Sequence, residues 1–142
     1  MTNELERAAE LIAAARKITA FTGAGISAES GIPTYRGEGG LWKDYDPAKF
    51  ASIDTFFRDP TYYWRFFRDV RYRIIATAQP NPGHLALAEL ERRGKLDCVI
   101  TQNIDGLHQQ AGNTRVLELH GNTRVIGCLA CGAEFDFEMV HE

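Results

Sequence analysis

The chain has 142 residues, 44% of them apolar and 25% charged, with 16 Lys and Arg against 19 Asp and Glu for a formal net charge of −3. That is ordinary composition for a globular domain with a core of its own, and the scatter of basic residues among acids leaves no basic stripe of the kind that tracks phosphate backbones, so direct nucleic-acid binding is not expected. No apolar stretch approaches the roughly eighteen residues needed to span a bilayer, and no charged leader precedes a short apolar run, so the expectation is a soluble, cytoplasmic protein with no membrane contact.

In chain order, Leu5, Ala8, Ala9, Leu11, Ile12 and Ala15 recur at helical spacing behind the cap residue Asn3, which predicts an amphipathic helix. Lys17 to Thr22 is a β-prone run stopped by Gly23-Ala24-Gly25, a strand feeding a tight turn. Gly31 to Asp46 is rich in glycine and carries Pro33, Tyr35, Trp42 and Tyr45, as expected of a loop that folds over something. Asp54 to Ala78 is crowded with aromatics and predicts two helices, a small insertion able to wall a cleft. Pro80-Asn81-Pro82 breaks the chain, His84 to Arg93 resumes a helix with Leu85, Ala88 and Leu90 inward, and Leu96 to Thr101 is a buried strand. After a loop and short helix from Gln102 to Gln110, Val116 to Leu119 gives another strand, and Thr123 to Ile126 and Ala133 to Phe137 suggest small antiparallel strands. The recurring strand, loop and helix order predicts an α/β fold with a parallel sheet and helices on its faces.

Gly23-Ala24-Gly25-Ile26-Ser27-Ala28 lies between a strand and a helix, where glycines let backbone amides approach a pyrophosphate. A tight turn asks for glycine on steric grounds as well, so this segment alone fits either reading. Tyr35 and Arg36 place a flat aromatic face and a fixed cation beside that turn. Thr101 to His108 leaves the C-terminal end of a parallel strand, where open α/β sheets bind ligands, and Gln102, Asn103 and Asp105 together offer the mixture a carboxamide needs; helix capping by Asn103 or Asp105 explains the same residues. His120, at a strand end before Gly121, carries the side chain suited to proton abstraction near neutrality, whereas His84, His108 and His141 are taken as structural or solvent-exposed. Cys128 and Cys131 have the spacing of half a zinc ribbon or of a redox pair, and Cys98 fits a buried core residue; three cysteines do not form a secreted disulfide framework.

Taken in order, Gly23 to Gly37, Thr101 to His108, His120-Gly121 and Cys128/Cys131 resemble the sirtuin family, over a stretch from about residue 17 to the C-terminus. The resemblance implies a Rossmann-like region (residues 1–40 and 80–121), a helical insertion (41–79) and a partial zinc-binding module (122–142), with NAD and an acyl-lysine peptide bound between them. It implies cofactor contacts from Gly23, Ala24, Gly25, Ala28, Pro33, Tyr35, Arg36, Gln102, Asn103, Ile104, Asp105 and His120, with Ile104 and Asp105 at the nicotinamide amide. It further implies His120 as the catalytic base and Cys128 and Cys131 as zinc ligands. The activity so implied is NAD-dependent removal of acyl groups from protein lysines onto ADP-ribose, with release of nicotinamide. Mono-ADP-ribosyl transfer and a non-catalytic NAD-binding module are the alternatives. The family's core is about twice this long, so the second cysteine pair, later strands and the adenosine-ribose contacts are expected outside the sequence given. Members that prefer acidic acyl groups carry a Tyr and an Arg three residues apart in the insertion; those places hold Arg68 and Arg71 here, so a neutral acyl group is expected.

Overall fold

The computed structural model describes residues 3–50 and 52–141; the side chains of Val140 and His141 lie outside what is described. Asn3 caps helix α1 (Glu4–Ala14) by accepting the Leu5 amide at 3.3 Å, and Glu4 and Glu6 complement the dipole of its first turn. Strand β1 (Ile18–Thr22) leads through Gly23 into the single turn α2 (Ala24–Ser27) and a 3-10 turn ending at Ser30. The insertion holds α3 (Pro47–Phe50), α4 (Ile53–Arg58) and α5 (Pro60–Phe66), then a wide π-type turn (Phe67–Tyr72) that runs on into α6 (Arg73–Thr77). Next come α7 (Pro82–Arg92), β2 (Leu96–Thr101), α8 (Leu107–Ala111) and β3 (Val116–Glu118), and then β4 (Val125–Gly127), β5 (Glu134–Asp136) and α9 (Phe137–His141).

The main sheet has the order β1-β2-β3 and both pairings are parallel, with Phe21 opposite Ile100 and Ile100 opposite Leu117. Strand alternation sends Ala20, Thr22, Val99 and Thr101 to one face, where Val99 is fully buried and Thr22 bonds His108 of α8. The opposite face presents Phe21 and Leu117, both more than half exposed. Helix α1 likewise buries no residue, and Leu5, Leu11 and Ile12 of its apolar stripe are exposed; Lys95 ties its end to the sheet by donating to the Ala13 and Ala15 carbonyls at 2.6 and 3.0 Å.

One expectation changes. Leu85 is 52% exposed and His84, one residue earlier, is fully buried. The reason is the cap: Asn81 accepts the Gly83 and His84 amides, α7 starts at Pro82, and this phasing turns His84 inward, where its Nδ1 accepts the Asn81 amide at 3.4 Å. In the insertion, Asp59 caps the Thr61 amide ahead of Pro60 at the first helical position, and no breaker follows until Gln79-Pro80, so one helical rod runs from 60 to 77 with a wide turn inside it. Its Phe66 and Phe67 are buried; Phe66 packs 4.9 Å from Tyr45 and 5.0 Å from Phe50, and Phe67 packs 5.0 Å from Phe137. Each such ring contributes on the order of 2–3 kcal/mol by burial, which fastens the insertion to α9. The small sheet pairs β4 and β5 antiparallel, Ile126 opposite Phe135. Among the described residues no helix is long and apolar enough to cross a membrane.

Candidate functional site

A cavity of about 990 Å³ opens at the C-terminal ends of the parallel strands. Gly23, Ala24 and Gly25 form part of its floor, Tyr35 and Arg36 one wall, Gln102, Asn103 and Ile104 another, and His120 its lip; Trp42, Phe56, Tyr63, Trp64 and Phe67 of the loop and insertion close it from above. A Cβ on Gly25 would meet nothing within 4 Å, so the floor there is bare backbone facing open space.

The wall is fixed by one glycine. A Cβ on Gly40 would sit 2.8 Å from both the Tyr35 carbonyl oxygen and the Arg36 carbonyl carbon, so only glycine lets the loop fold back on itself. The fold-back is closed by the Leu41 amide donating to Thr34 at 2.9 Å and the Trp42 amide donating to Tyr35 at 3.1 Å. It stacks Tyr35 on Trp42, ring centroids 5.2 Å apart, beside the guanidinium of Arg71, which lies 5.3 Å from the Tyr35 and Phe66 rings. Tyr63 stands in the same wall, its phenol pushed up by burial against the opposing pull of Arg71.

His120 follows β3, whose end is held by the Leu119 amide donating to Thr101 at 2.9 Å. Its Nδ1 lies 3.0 Å from the Gln102 carbonyl. A carbonyl only accepts, so in the neutral ring Nδ1 carries the proton and the lone pair lies on Nε2. The structure thus presents an oriented imidazole at the edge of the cavity.

Beneath the floor lies a buried polar network. Ser27, fully buried, donates to Asp105 Oδ2 at 2.7 Å and accepts from Asn103 Nδ2 at 3.0 Å; Asn103 also donates to the Gly23 carbonyl at 3.1 Å. His84 Nε2 is 3.5 Å from the same hydroxyl, and His108 Nε2 is 2.8 Å from Thr22 Oγ1. The two imidazoles lie 4.9 Å apart, and burial pushes both below the ordinary value near 6.5. Repulsion from His84 adds to the effect on His108, while the Asp105 carboxylate works against it at both. This network joins the glycine turn to the Thr101–His108 loop, which makes the two halves of the expected cofactor site one rigid piece.

Of the residues singled out from sequence, Gly23, Ala24, Gly25, Tyr35, Arg36, Gln102, Asn103, Ile104 and His120 all line the cavity. Ala28 and Pro33 do not line it, and Asp105 gives its carboxylate to Ser27 and to the Leu107 amide at 3.0 Å. Ser27, Arg71, Asn122 and Thr123 were not singled out as cofactor-site residues; a serine or threonine has no periodic signal, and their partners are distant in the chain. Cys128 and Cys131 form a knuckle: the Cys128 amide donates to Ala133 at 2.8 Å, and the Gly132 amide closes the turn onto Cys128 at 2.9 Å. The Cys128 thiol is pulled down by the Cys131 and Ala130 amides and by the Cys131 thiol, the setting a thiolate ligand needs. Among the described residues no group of three or more His, Cys, Asp or Glu is placed to hold a metal.

The chain is 53% identical over 137 residues to NAD-dependent protein deacylase 2 of Archaeoglobus fulgidus, covering 96% of this chain and 53% of that relative. It is 55% identical over 127 residues to the NAD-dependent protein deacylase of Thermococcus kodakarensis, covering 89% of this chain and 49% of the relative. The chain therefore spans about half the length of these curated relatives. Among solved structures, one described as giving the structural basis for the mechanism and regulation of Sir2 enzymes superposes with a TM-score of 0.87 at 52% identity, covering 98% of this chain and 54% of that one. A Sir2 homologue in complex with NAD superposes with a TM-score of 0.81 at 44% identity over 96% of this chain and 52% of the other. The model of the Sir2 family matches residues 23–142, and the chain belongs to that family.

Proposed function

We propose that this chain carries the cofactor pocket and the base of an NAD-dependent protein-lysine deacylase. The observation that carries the reading is the orientation of His120: its Nδ1 proton is committed to the Gln102 carbonyl, which leaves Nε2 free at the lip of a cavity shared with the glycine turn, Tyr35 and Arg36. The names of the relatives at about half identity support it. The cavity also fits the cofactor chemically, with bare backbone for phosphates at Gly25, aromatic faces for a ring at Tyr35 and Trp42, and the Gln102 to Ile104 loop for a carboxamide.

NAD, when bound, supplies a ribose carbon that accepts the acyl oxygen as nicotinamide leaves. His120 Nε2 takes a proton from a ribose hydroxyl, and the Gln102 carbonyl stabilises the imidazolium so formed through Nδ1–H. With the cofactor bound, the aromatic wall would shield the reacting carbon from water that would intercept it. Cys128 and Cys131 would hold zinc through two thiolates, in a structural role. The free thiols of Cys98, Cys128 and Cys131 suit a reducing, cytoplasmic setting.

The acyl group is neutral in this reading. Arg68 is 61% exposed and paired with Asp69 at 2.7 Å, so Arg71 is the one member of the two-residue pattern that borders the cavity. The test is nicotinamide release from NAD with and without acetyl- and succinyl-lysine peptides, on the chain and on any longer natural form that contains it. Release that requires the acetyl-peptide supports the proposal; release independent of any acyl-lysine overturns it, and a strong succinyl preference overturns the acyl assignment.

A further inference from the structure

The Gln102 to Asp105 loop is pinned at its start, with the Gln102 amide on the Thr22 carbonyl at 3.0 Å and Asn103 on Gly23. It is pinned again at its end, where Asp105 meets Ser27 and Leu107. Between these anchors stands Ile104, and its carbonyl receives two bonds from one residue: the Thr123 amide at 3.1 Å and the Thr123 hydroxyl at 2.9 Å. A carbonyl oxygen has two lone pairs, so Thr123 occupies both.

The arm that presents Thr123 is braced without its hydroxyl. Asn122 Oδ1 accepts the Arg124 and Val125 amides, each at 3.0 Å, and Asn122 Nδ2 donates to Glu118 at 2.9 Å. Glu118 is bound in turn by Arg124 at 3.0 Å and by Gln109 of α8 at 2.7 Å. The same guanidinium reaches to 2.9 Å from the place a Cβ on Gly106 would take, so arm and loop are in contact on both sides of Asp105.

We propose that Thr123 is a positioning residue for the nicotinamide site, an inference that rests on the cofactor reading above. No peptide in the described chain is cis, and in a trans peptide C=O and N–H point in opposite directions. Holding the Ile104 oxygen against Thr123 therefore fixes the Asp105 N–H on the far side of the same plane. With the hydroxyl, the Ile104–Asp105 peptide has one orientation, and so does Ile104, the residue of this loop segment that borders the cavity a carboxamide would enter. Without it, a single amide bond to the carbonyl remains, and the peptide rocks. The hydrogen bonds of Thr123 go to Ile104, and through that carbonyl it would act.

The experiment titrates nicotinamide and, separately, ADP-ribose against the chain, following the fluorescence of Trp42 and Trp64, which both line the cavity. Thr123→Val keeps the shape and the backbone donor and removes the hydroxyl; Thr123→Ser keeps the hydroxyl. Nicotinamide affinity is expected to fall about three- to tenfold in the valine variant, the effect of one net hydrogen bond, and to stay within about twofold in the serine variant, with ADP-ribose affinity within about twofold in both. A general structural defect would lower both affinities together and overturn the inference. Unchanged nicotinamide binding by Thr123→Val, or an equal loss in Thr123→Ser, also overturns it while leaving the cofactor reading intact. Failure of the unsubstituted chain to bind either probe overturns that reading, and this inference with it.

Discussion

Replacing Ser27 with alanine removes the junction between the glycine turn and the Thr101–His108 loop. The lost hydroxyl donates to Asp105 at 2.7 Å and accepts from Asn103 at 3.0 Å, in a site fully shut off from water. A bond to a carboxylate contributes about 1.5–3 kcal/mol and a neutral one about 0.5–1.5. Both partners keep another bond, Asn103 to Gly23 and Asp105 to Leu107, so neither is left wholly unsatisfied. The expected cost is therefore about 2–4 kcal/mol rather than more, which for a domain of this size lowers Tm by roughly 6–15 °C. Urea and thermal unfolding followed by tryptophan fluorescence measure it. Because the same change frees Asn103 and Asp105, nicotinamide affinity should fall alongside stability. A Ser27→Ala chain within about 0.5 kcal/mol of the parent, well inside ordinary surface-mutation scatter, would show that the network does not join the two loops energetically.

Three further outcomes follow from the same geometry. His84 and His108 have native pKa values held below 6.5, so in mildly acid solution the unfolded chain takes up protons that the native chain refuses. Stability should be highest above about pH 6.5 and decline as the pH falls from 7.5 to 5.5; urea midpoints that do not move over that range would contradict the buried neutral pair. Gly106 has φ +74°, and a side chain there also meets Arg124, so Gly106→Ala should cost about 1–2 kcal/mol by equilibrium unfolding, whereas a neutral result would mean the loop adopts another conformation. With two cysteines at the knuckle and no third ligand beside them among the described residues, the 142-residue chain should retain less than one zinc after dialysis against a mild chelator; one tightly held zinc per monomer would show that other ligands complete the site.

The strands were legible because each is a short apolar run closed by glycine or a polar turn: Ile18 to Thr22 before Gly23, and Leu96 to Thr101 before Gln102. The position of His120 was legible from its strand end before Gly121, and the structure sets it at the lip of the cavity. The phase of α7 was misread, since Leu85 looks more buried than His84 until the Asn81 cap is recognised as setting the first turn. The two helices expected between Asp54 and Ala78 are there, Ile53–Arg58 and the rod from 60 to 77, separated by the Asp59-Pro60 cap. Ser27, Gly40 and Thr123 act through partners that tertiary structure alone brings near, or through a close approach that a glycine's identity does not announce.

The most direct test of the central claim is the pair of NAD binding and deacylation measured for His120→Ala, on the form of the protein that shows acyl-lysine-dependent turnover. The geometry predicts that NAD binding survives, because the floor and wall of the cavity do not depend on the imidazole, while deacylation falls by at least about a hundredfold as the general base is lost. Undiminished turnover by His120→Ala would contradict the account, since the proton would then be leaving by another route.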